Sequence, residues 1–562
     1  MLRDKTMVWH CGIHELSLSR PRIMGVLNVT PDSFSDGGSY IDTQAAIDRG
    51  LQMLDEGADI IDVGGESTRP GFTPVSPEEE AKRIVPVVRA LVAAGAIVSV
   101  DTRHAEVARM CVRLGAAIIN DVTGFTDPAM VAAAAESAAG VIVMHAGEVG
   151  APAPRQTVVL DSVLAAQEAN HAAGADAASS GASTAASAEK PAEKPAEQNA
   201  EQDAEKTDEH ADEKPVDSGA AASRSTASPT TTNDARTANT SLDAMMASAP
   251  TQATTATVRL AGTRRFSTPE SAPIMRNVMG FLGDQARTLM RAGVQRNRIC
   301  IDPGPGFGKY ADEDVVIQRA TSKMVSMEYP VLCAVSRKRF VGAISAVEAA
   351  AARDAATAGV AIAAVEAGAR IVRVHNVAQT YQALTSYWTI AHTDERRAFV
   401  ALGSNVGDRV GYLAKACSLL NALPLTCVIN VSHAYETEPA YGIATHVVNA
   451  VAEIKTQLAP LVLLDQLMAI EKTLHRQRSD GEHGNGPRTI DCDLVWMQDE
   501  VHAGRRLVLP HPGLGERDYV LVPLHDLMHD PERFLTHDGV EIKSASARVG
   551  QITADLGAIE WN

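Results

Sequence analysis

Residues Gly25 to Gly38 read Gly-Val-Leu-Asn-Val-Thr-Pro-Asp-Ser-Phe-Ser-Asp-Gly-Gly. The first half is an apolar run typical of a buried strand, and the second half consists mainly of turn-forming residues. Asn28 and Thr30 are two residues apart, so their side chains lie on one side of the strand at its end. The pattern has two interpretations: an ordinary strand followed by a solvated turn, or the edge of a binding site. The rest of the chain decides between them.

The same kind of apolar run recurs along the first 376 residues, with amphipathic, Ala-rich segments between the runs. Parallel-type strands that alternate with helices predict an α/β fold, and eight of them predict a (β/α)8 TIM barrel. The eight runs are Ile23–Thr30, Asp59–Gly65, Ile97–Thr102, Ala116–Val122, Gly140–His145, Arg298–Gly304, Tyr329–Ser336 and Arg370–Asn376.

Every one of these runs ends in polar residues. Singly, each group is typical of a helix cap or a turn, but eight together are not explained by capping. Because the C-terminal ends of barrel strands form the active site, the pattern predicts a pocket for a buried polar ligand there. The polar ends are Asn28, Gly64–Arg69, Asp101–Thr102, Asn120–Asp121, Met144–His145, Asp302, Ser336–Lys338, and Arg373 with His375.

A low-complexity segment from about Asp161 to Gly262 interrupts the pattern after the fifth strand. It is rich in Ala, Ser, Thr, Glu, Asp, Lys and Pro, and from Ala188 it repeats the tetrapeptides AEKP, AEKP, AEQN, AEQD and AEKT. With almost no large apolar residues to bury, we expect the segment to be disordered. Since long loops cost little closure entropy, we expect its excision to leave catalysis intact; a folded but inactive deletion variant would contradict this.

A second domain is predicted after the polar linker Ala391–Arg396. Its pattern is strand Phe399–Gly403, helix Val410–Leu423, strands Val428–Glu436 and Val448–Lys455, helix Leu461–Leu474 and strand Ile490–Trp496. Strands that are joined both directly and through helices indicate an α+β domain of ferredoxin-like type. The predicted domains are therefore residues 1–392, interrupted by 161–262, and residues 397–562.

Composition limits the classes of partner. The formal net charge of -18 disfavours nucleic acid and anionic membranes as main partners. The seven cysteines are scattered and include no Cys-x-x-Cys pair, which is typical of a reducing cytoplasm and argues against a structural zinc site. With no signal-type region after the start and no apolar run of membrane-spanning length, we expect a cytoplasmic protein.

Four motifs in the first domain closely resemble dihydropteroate synthase, over about Trp9 to Ile390 apart from the insert. They are Asn28-Val-Thr-Pro-Asp-Ser-Phe-Ser-Asp-Gly-Gly, Asp62-Val-Gly-Gly-Glu-Ser-Thr-Arg-Pro-Gly, Asp302-Pro-Gly-Pro-Gly-Phe-Gly-Lys and Ser336-Arg-Lys. The resemblance implies condensation of 6-hydroxymethyl-7,8-dihydropterin diphosphate with 4-aminobenzoate, with release of diphosphate. Gly304–Lys309 does not match a phosphate loop, because Pro303 occupies the first glycine position.

The resemblance also implies roles for barrel residues. Asp302 would accept the guanidine-like edge of the pterin, Asn120 and Asp101 would make its other polar contacts, and Lys338 would donate to its carbonyl and ring nitrogen. Charge that develops on the departing diphosphate would be held by Arg69, Thr68, Arg373 and His375, with Asn28 as a Mg2+ ligand. The loop residues Phe34, Pro70 and Phe307 would shape the 4-aminobenzoate site.

The second domain resembles 6-hydroxymethyl-7,8-dihydropterin pyrophosphokinase, over about Arg397 to Leu527. The matching motifs are Phe399-Val-Ala-Leu-Gly-Ser-Asn-Val-Gly-Asp, Tyr435-Glu-Thr-Glu-Pro, Asn449-Ala-Val, Arg476-Gln-Arg, Pro487-Arg-Thr-Ile-Asp-Cys-Asp and Pro510-His-Pro. That family moves the diphosphate of ATP to the pterin alcohol, which makes the substrate that the barrel would consume. Direct transfer of this intermediate and free diffusion are both compatible with a fusion.

Asp491 and Asp493 lie two apart on a strand, as suits Mg2+ held against phosphates. By resemblance, they are the ligands of two Mg2+ ions with ATP as co-substrate. The other implied roles are phosphate contacts for Arg476, Arg478, Arg488, His511 and Arg517, a nucleotide contact for Glu471, and pterin contacts for Asn449 and Tyr519. Val447 and Asn485 stand where that family usually has aromatic residues, which predicts weaker pterin stacking by about 0.5–1.5 kcal/mol.

The predicted function is thus a bifunctional folate-biosynthesis enzyme with pterin, 4-aminobenzoate and ATP as its small-molecule partners. One alternative is a barrel of the pterin-binding methyltransferase type, which does not require the loop Thr30–Gly38 or the Ser336-Arg-Lys set. Another is a module that binds pterin without turnover. The resemblance further implies a homodimer formed through the barrel.

Overall fold

The computed structural model describes residues 7–30, 39–66, 74–146, 271–476 and 487–561. The predicted disordered segment 161–262 lies outside these ranges, as does the loop that follows Thr30. Among the described helices, none is long and apolar enough to cross a membrane.

An N-terminal hairpin, which the sequence patterns did not predict, precedes the barrel. It consists of β1 (Val8–Cys11) and β2 (His14–Ser17), paired antiparallel. Trp9 is fully buried, and its indole nitrogen donates to the Arg298 carbonyl at 2.9 Å. Its ring belongs to an apolar cluster with Ile60, Ile118 and Ile371, which are at or near the first residues of barrel strands. The hairpin therefore covers the N-terminal end of the barrel.

Eight parallel strands form the sheet of the first domain, as predicted. They are β3 (Arg22–Asn28), β4 (Ile60–Gly64), β5 (Val98–Asp101), β6 (Ile118–Asp121), β7 (Gly140–Met144), β8 (Ile299–Asp302), β9 (Leu332–Cys333) and β10 (Ile371–Val374). Their order is β8-β7-β6-β5-β4-β3-β10-β9, and a parallel bridge between Ile301 and Val331 joins its two ends. The described part of the first domain is therefore a TIM barrel, and the strand ends share one face.

Three helices on the outside of the barrel begin at recognisable caps. The Ser76 hydroxyl accepts from Glu79 N before a helix with proline at its start, and Asp127 and Asn376 cap two further helices in the same way. The described barrel helices are α1 (Ser39–Asp55), α2 (Pro77–Ala93), α3 (Ala105–Arg113), α4 (Pro128–Ala135), α5 (Pro273–Arg291), α6 (Ala311–Arg319), α7 (Thr321–Val325), α8 (Arg339–Ser345), α9 (Asp354–Glu366) and α10 (Val377–Ala391).

The second domain is an antiparallel sheet with helices on both faces. Its strands are β11 (Arg396–Ser404), β12 (Thr426–Val431), β13 (Tyr435–Thr437), β14 (Val447–Thr456), β15 (Asp491–Met497), β16 (His502–Ala503), β17 (Val508–Leu509) and β18 (Ile552–Asp555). Its helices are α11 (Arg409–Asn421), α12 (Pro460–Thr473), α13 (Asp518–Leu527) and α14 (Pro531–His537). The main sheet has the order β15-β11-β14-β13-β18, and β12 also pairs with β14.

The predicted strand Val428–Glu436 is in fact two strands, β12 and β13. Between them the buried Ser432 side chain accepts from Val451 N at 2.9 Å, so a side chain takes the place of a ladder contact. The helices α13 and α14 and the strand β18 were not predicted. Helices α13 and α14 cover one face of the sheet through Val520, Leu524 and Leu535, while α11 and α12 cover the other.

A buried cluster of charged residues joins the two domains. The Glu500 carboxylate, 1% exposed, accepts from Arg22 at 2.8 Å, from Arg396 at 2.6 Å and from Arg20. Asp59 lies 3.0 Å from both Arg20 and Arg22. Arg22 begins β3 and Asp59 precedes β4, so the second domain contacts the barrel at the N-terminal ends of its strands, on the face opposite the polar strand ends.

Candidate active sites

The centre of the barrel site is the Arg373 guanidinium, on the last barrel strand. Its Nε donates to Asp62 Oδ2 at 2.6 Å and its Nη2 to Asp101 Oδ2 at 2.7 Å. Asn120 Nδ2 donates to the same Asp62 oxygen at 3.0 Å. Four strands thus contribute one residue each to a single network, which brings together three of the predicted site residues.

Asp62 had no predicted role, although a carboxylate within the apolar run Ile-Ile-Asp-Val is a signal for a buried functional group. It is fully buried, and its Oδ1 has no hydrogen-bond partner among the described residues. Burial raises the pKa of Asp101 to about 7, although Arg373 opposes the shift. The neighbouring Asp62, which shares the same guanidinium, raises this pKa further. Because Asp62 and Asp101 share one guanidinium, their carboxylate oxygens can still accept hydrogen bonds from a ligand with N–H donors.

Asp302 and Lys338 lie on the other side of the barrel mouth. Asp302 Oδ1 accepts from Gly304 N at 2.7 Å, and burial raises the pKa of this carboxyl although Lys338 opposes the shift. Burial also lowers the pKa of Lys338 to about 8. The Lys338 ammonium donates to the Pro305 carbonyl at 2.5 Å and lies 4.7 Å from the centre of the Phe307 ring. A carboxylate, a cation and an aromatic ring therefore line one region.

Lys309 organises the loop that carries Phe307. Its ammonium donates to the carbonyls of Gly304 at 2.7 Å, His145 at 2.9 Å and Phe307 at 3.1 Å. A lysine held by three carbonyls does not present its charge to a phosphate, in agreement with the rejection of a phosphate loop. The contact with His145 also ties this loop to the end of β7.

Of the remaining predicted site residues of the barrel, two are described by the structure and four are not. Asn28 ends β3 and His375 follows β10, where its Nδ1 is 2.9 Å from Ser336 Oγ. The predicted residues Phe34, Thr68, Arg69 and Pro70 lie outside the described residues.

The site of the second domain is a pocket of about 340 Å³ at the start of β15. Six of the predicted residues line it: Asn449, Arg488, Asp491, Asp493, Arg517 and Tyr519. Residues that line it without having been predicted include Thr437, Tyr441 and Ile443.

Asp491 and Asp493 differ in their surroundings although they share one face of β15. Burial alone would raise the pKa of Asp491, but ion pairs with Arg476 and Arg488 outweigh it and lower the pKa. Burial, together with the charge of Asp491, raises the pKa of Asp493 to about 7. The pair therefore presents one paired carboxylate and one for which the described residues provide no ion-pair partner.

Glu471 and His511 lie beside the pocket and do not line it. The buried Glu471 carboxylate accepts from Arg476 at 2.7 Å and from Cys492 N at 3.0 Å, so it connects α12 to β15. His511 Nδ1 accepts from Gly513 N at 3.1 Å, and burial with Arg517 nearby lowers the pKa of its imidazole to about 4. Arg478 lies outside the described residues.

Comparisons with known proteins match both domains. A family model described as "Pterin binding enzyme" matches residues 24–183 and 220–375, more than half of the chain. A second model, "7,8-dihydro-6-hydroxymethylpterin-pyrophosphokinase (HPPK)", matches residues 399–529. The chain belongs to the family of pterin binding enzymes.

Individual relatives identify the activity of the barrel. The chain is 32% identical to a dihydropteroate synthase of Staphylococcus haemolyticus over 362 residues, which is 64% of this chain and 91% of the relative. It is 47% identical to a dihydropteroate synthase of Mycobacterium leprae over 164 residues, 29% of this chain and 58% of the relative. With a dihydropteroate synthase and a pyrophosphokinase domain in one chain, this is a bifunctional enzyme of folate biosynthesis.

Among solved structures, a dihydropteroate synthase of Xanthomonas albilineans with 4-aminobenzoic acid is similar to this chain at 27% identity. The match covers 69% of this chain and 99% of that one, with a TM-score of 0.46.

Proposed function

We propose that the two activities reside in separate domains, residues 1–392 without the insert and residues 397–562, and that the residues gathered at each site carry them. The observation that supports this most directly is the network of Asp62, Asp101, Asn120 and Arg373 at the C-terminal strand ends. Buried carboxylates with unused acceptor capacity match the N–H donors of a pterin.

In the barrel, Asp302 accepts the guanidine-like edge of the pterin, and Lys338 donates to its carbonyl and ring nitrogen. Asp101 and Asn120 bind the remaining polar atoms, and Asp62 fixes the orientation of both Asn120 and Arg373. Because the pocket is buried, each of these hydrogen bonds is stronger than it would be in water.

Cleavage of the carbon–oxygen bond leaves negative charge on the diphosphate. Since Asp62 and Asp101 already pair with Arg373, additional positive charge is needed, and we assign it to Arg69, with Thr68 and His375 as hydrogen-bond donors. Asn28 offers one neutral oxygen, so a Mg2+ ion at that position would be held mainly by phosphate oxygens. Phe34, Pro70 and Phe307 would enclose the aromatic ring of 4-aminobenzoate.

In the second domain, Asp491 and Asp493 are the proposed ligands of two Mg2+ ions. The fit is favourable, because burial disfavours a second negative charge beside Asp491 and a cation would relieve that cost. No group of three or more His, Cys, Asp or Glu side chains suited to a metal occurs among the described residues, so ATP phosphates would complete the coordination. Bound Mg2+ would neutralise the transferring diphosphate and align it for attack.

The basic residues of this pocket then bind phosphate. Arg476 and Arg488, which pair with Asp491, would turn to phosphate oxygens once cations occupy the carboxylates. Arg478, Arg517 and His511 would contact the remaining phosphates, and Glu471 would hold the nucleotide side. Asn449 and Tyr519 would bind the pterin alcohol.

A coupled assay tests the proposal. The purified chain should consume ATP with 6-hydroxymethyl-7,8-dihydropterin and should form dihydropteroate once 4-aminobenzoate is added. Binding of pterin without consumption of ATP would contradict it and favour a binding module. The homodimer and the cytoplasmic location remain predictions, the first to be checked by sedimentation.

A further inference from the structure

We infer that Tyr441 is a pterin-stacking residue of the pyrophosphokinase pocket. The inference rests on the proposed function of that pocket and adds a residue to it. Two observations carry it: the position of the ring among the pocket walls, and the backbone conformation that presents the ring.

The position of the ring comes first. Tyr441 and Tyr519 are the aromatic residues among the described pocket walls, and Val447 and Ile443 are aliphatic. The Arg517 guanidinium lies 5.4 Å from the centre of the Tyr441 ring and 5.6 Å from that of Tyr519. Both aromatic faces therefore meet the position of Arg517 in the pocket. A planar, guanidine-like heterocycle would stack on these faces once Arg517 turns to phosphate.

The backbone at Tyr441 is unusual for a tyrosine. Tyr441 has φ 54° and Gly442 has φ 83°, and the Ala440 carbonyl accepts from Ile443 N at 3.1 Å. This is a tight turn with two left-handed central residues, for which Asn and Gly are strongly preferred. A left-handed tyrosine costs free energy, and such strain is retained chiefly at functional sites.

The side chain is oriented but not buried. Its hydroxyl donates to Glu516 Oε1 at 2.7 Å, next in sequence to Arg517, and 45% of the residue stays exposed. An exposed ring that is fixed in direction gains by covering its face with a ligand. Tyr441 thus offsets the loss of stacking that Val447 predicts.

The test measures pterin affinity directly. The wild-type chain and its variants are titrated with 6-hydroxymethyl-7,8-dihydropterin in the presence of Mg2+ and a non-hydrolysable ATP analogue. Loss of one aromatic contact, about 0.5–1.5 kcal/mol, corresponds to a Kd for pterin raised roughly 2- to 12-fold in Tyr441→Leu. The KM for ATP should stay within about twofold of the wild-type value.

Three further variants separate stacking from structure. Tyr441→Phe keeps the ring but loses the hydrogen bond to Glu516, so its pterin Kd should lie between the values of the wild type and Tyr441→Leu. Tyr441→Asn suits the left-handed turn, so its melting temperature should equal or exceed the wild-type value while the pterin Kd rises as in Tyr441→Leu. Adding Val447→Tyr to Tyr441→Leu puts a ring on another wall of the pocket and should restore part of the affinity.

The outcomes are distinct. If the wild-type chain does not bind the pterin at all, the proposed function of the pocket is wrong. If the wild type binds and Tyr441→Leu binds equally well, the function stands and the inference is overturned. The inference is also overturned if Tyr441→Asn loses affinity only together with its melting temperature, because Tyr441 would then be structural.

Discussion

Removal of the Glu500 carboxylate should destabilise the contact between the domains more than any exposed ion pair could. In Glu500→Ala, the guanidiniums of Arg20, Arg22 and Arg396 lose their shared acceptor, and Asp59 remains for only two of them. Since the carboxylate is 1% exposed, water cannot replace it. Loss of one partner from a buried ion pair costs about 3–5 kcal/mol, and we expect a loss of that size here.

Equilibrium unfolding in urea at pH 7 measures this loss, with a probe in each domain. Asp465→Ala is the matched control, because Asp465 also pairs with an arginine, Arg506, but its side chain is 56% exposed. A surface pair contributes about 0–1 kcal/mol, so this variant should unfold nearly as the wild type does. Equal midpoints for the two variants would refute the reasoning.

The pH dependence gives a second test of Glu500. Burial opposes ionisation, but Arg20 and Arg22 outweigh it and lower the pKa of Glu500 well below its ordinary value. A lowered carboxyl pKa adds stability above the unfolded-state pKa of about 4.3, and this stability is lost as the pH falls below it. Relative to its value at pH 7, the free energy of unfolding of the wild-type chain should therefore fall more, roughly between pH 5 and pH 3, than that of Glu500→Ala. This pH window brackets the unfolded-state carboxyl pKa of roughly 4.3. Parallel curves would show that the cluster does not titrate as described.

Three predictions concern catalysis. Asp491→Ala should abolish diphosphate transfer from ATP yet leave condensation of preformed pterin diphosphate intact, as measured by separate assays of the two steps. Asp302→Ala should remove condensation only, because loss of a buried charged acceptor costs about 2–5 kcal/mol of pterin binding. For Lys338, whose pKa burial lowers to about 8, kcat/KM for condensation should fall as the pH rises through about 8 and the ammonium loses its proton.

The control for each aspartate variant is the activity of the other site, and the control for Lys338 is a substitution that preserves its charge. Loss of both activities in Asp491→Ala would argue against separable domains, and wild-type condensation in Asp302→Ala would exclude its role in pterin recognition. Lys338→Arg keeps a positive charge at all accessible pH values, so its kcat/KM should not fall near pH 8. If the fall persists there, another group is responsible, and Lys309, with a pKa also near 8, is the next to examine.

The sequence predicts the barrel well because each strand is a mainly apolar run that ends in polar residues. It predicts Asp302 and Arg373 for the same reason, since polar groups at strand ends stand out. Asp62 lies inside its strand, and its partners come from two other strands. Contacts between such distant segments depend on the closed barrel and have no local signal.

The second domain shows the same limit. The pair Asp491 and Asp493 is evident from its spacing, whereas the contribution of Tyr441 depends on a left-handed turn that no periodicity predicts. Glu500 and Arg22 are far apart in the chain, and each alone is typical of a surface residue. Their burial follows only from how the two domains meet.

The charged junction also lies far from both sites. From Arg22 at the junction, β3 extends for seven residues to Asn28, roughly 20 Å at about 3.3 Å per residue. From the junction, β15 likewise runs back for seven residues from Met497 to Asp491, again roughly 20 Å. Each site thus lies at the end of its own domain that is remote from the junction. The fusion fixes a one-to-one ratio of the two catalysts without bringing their sites together at the junction.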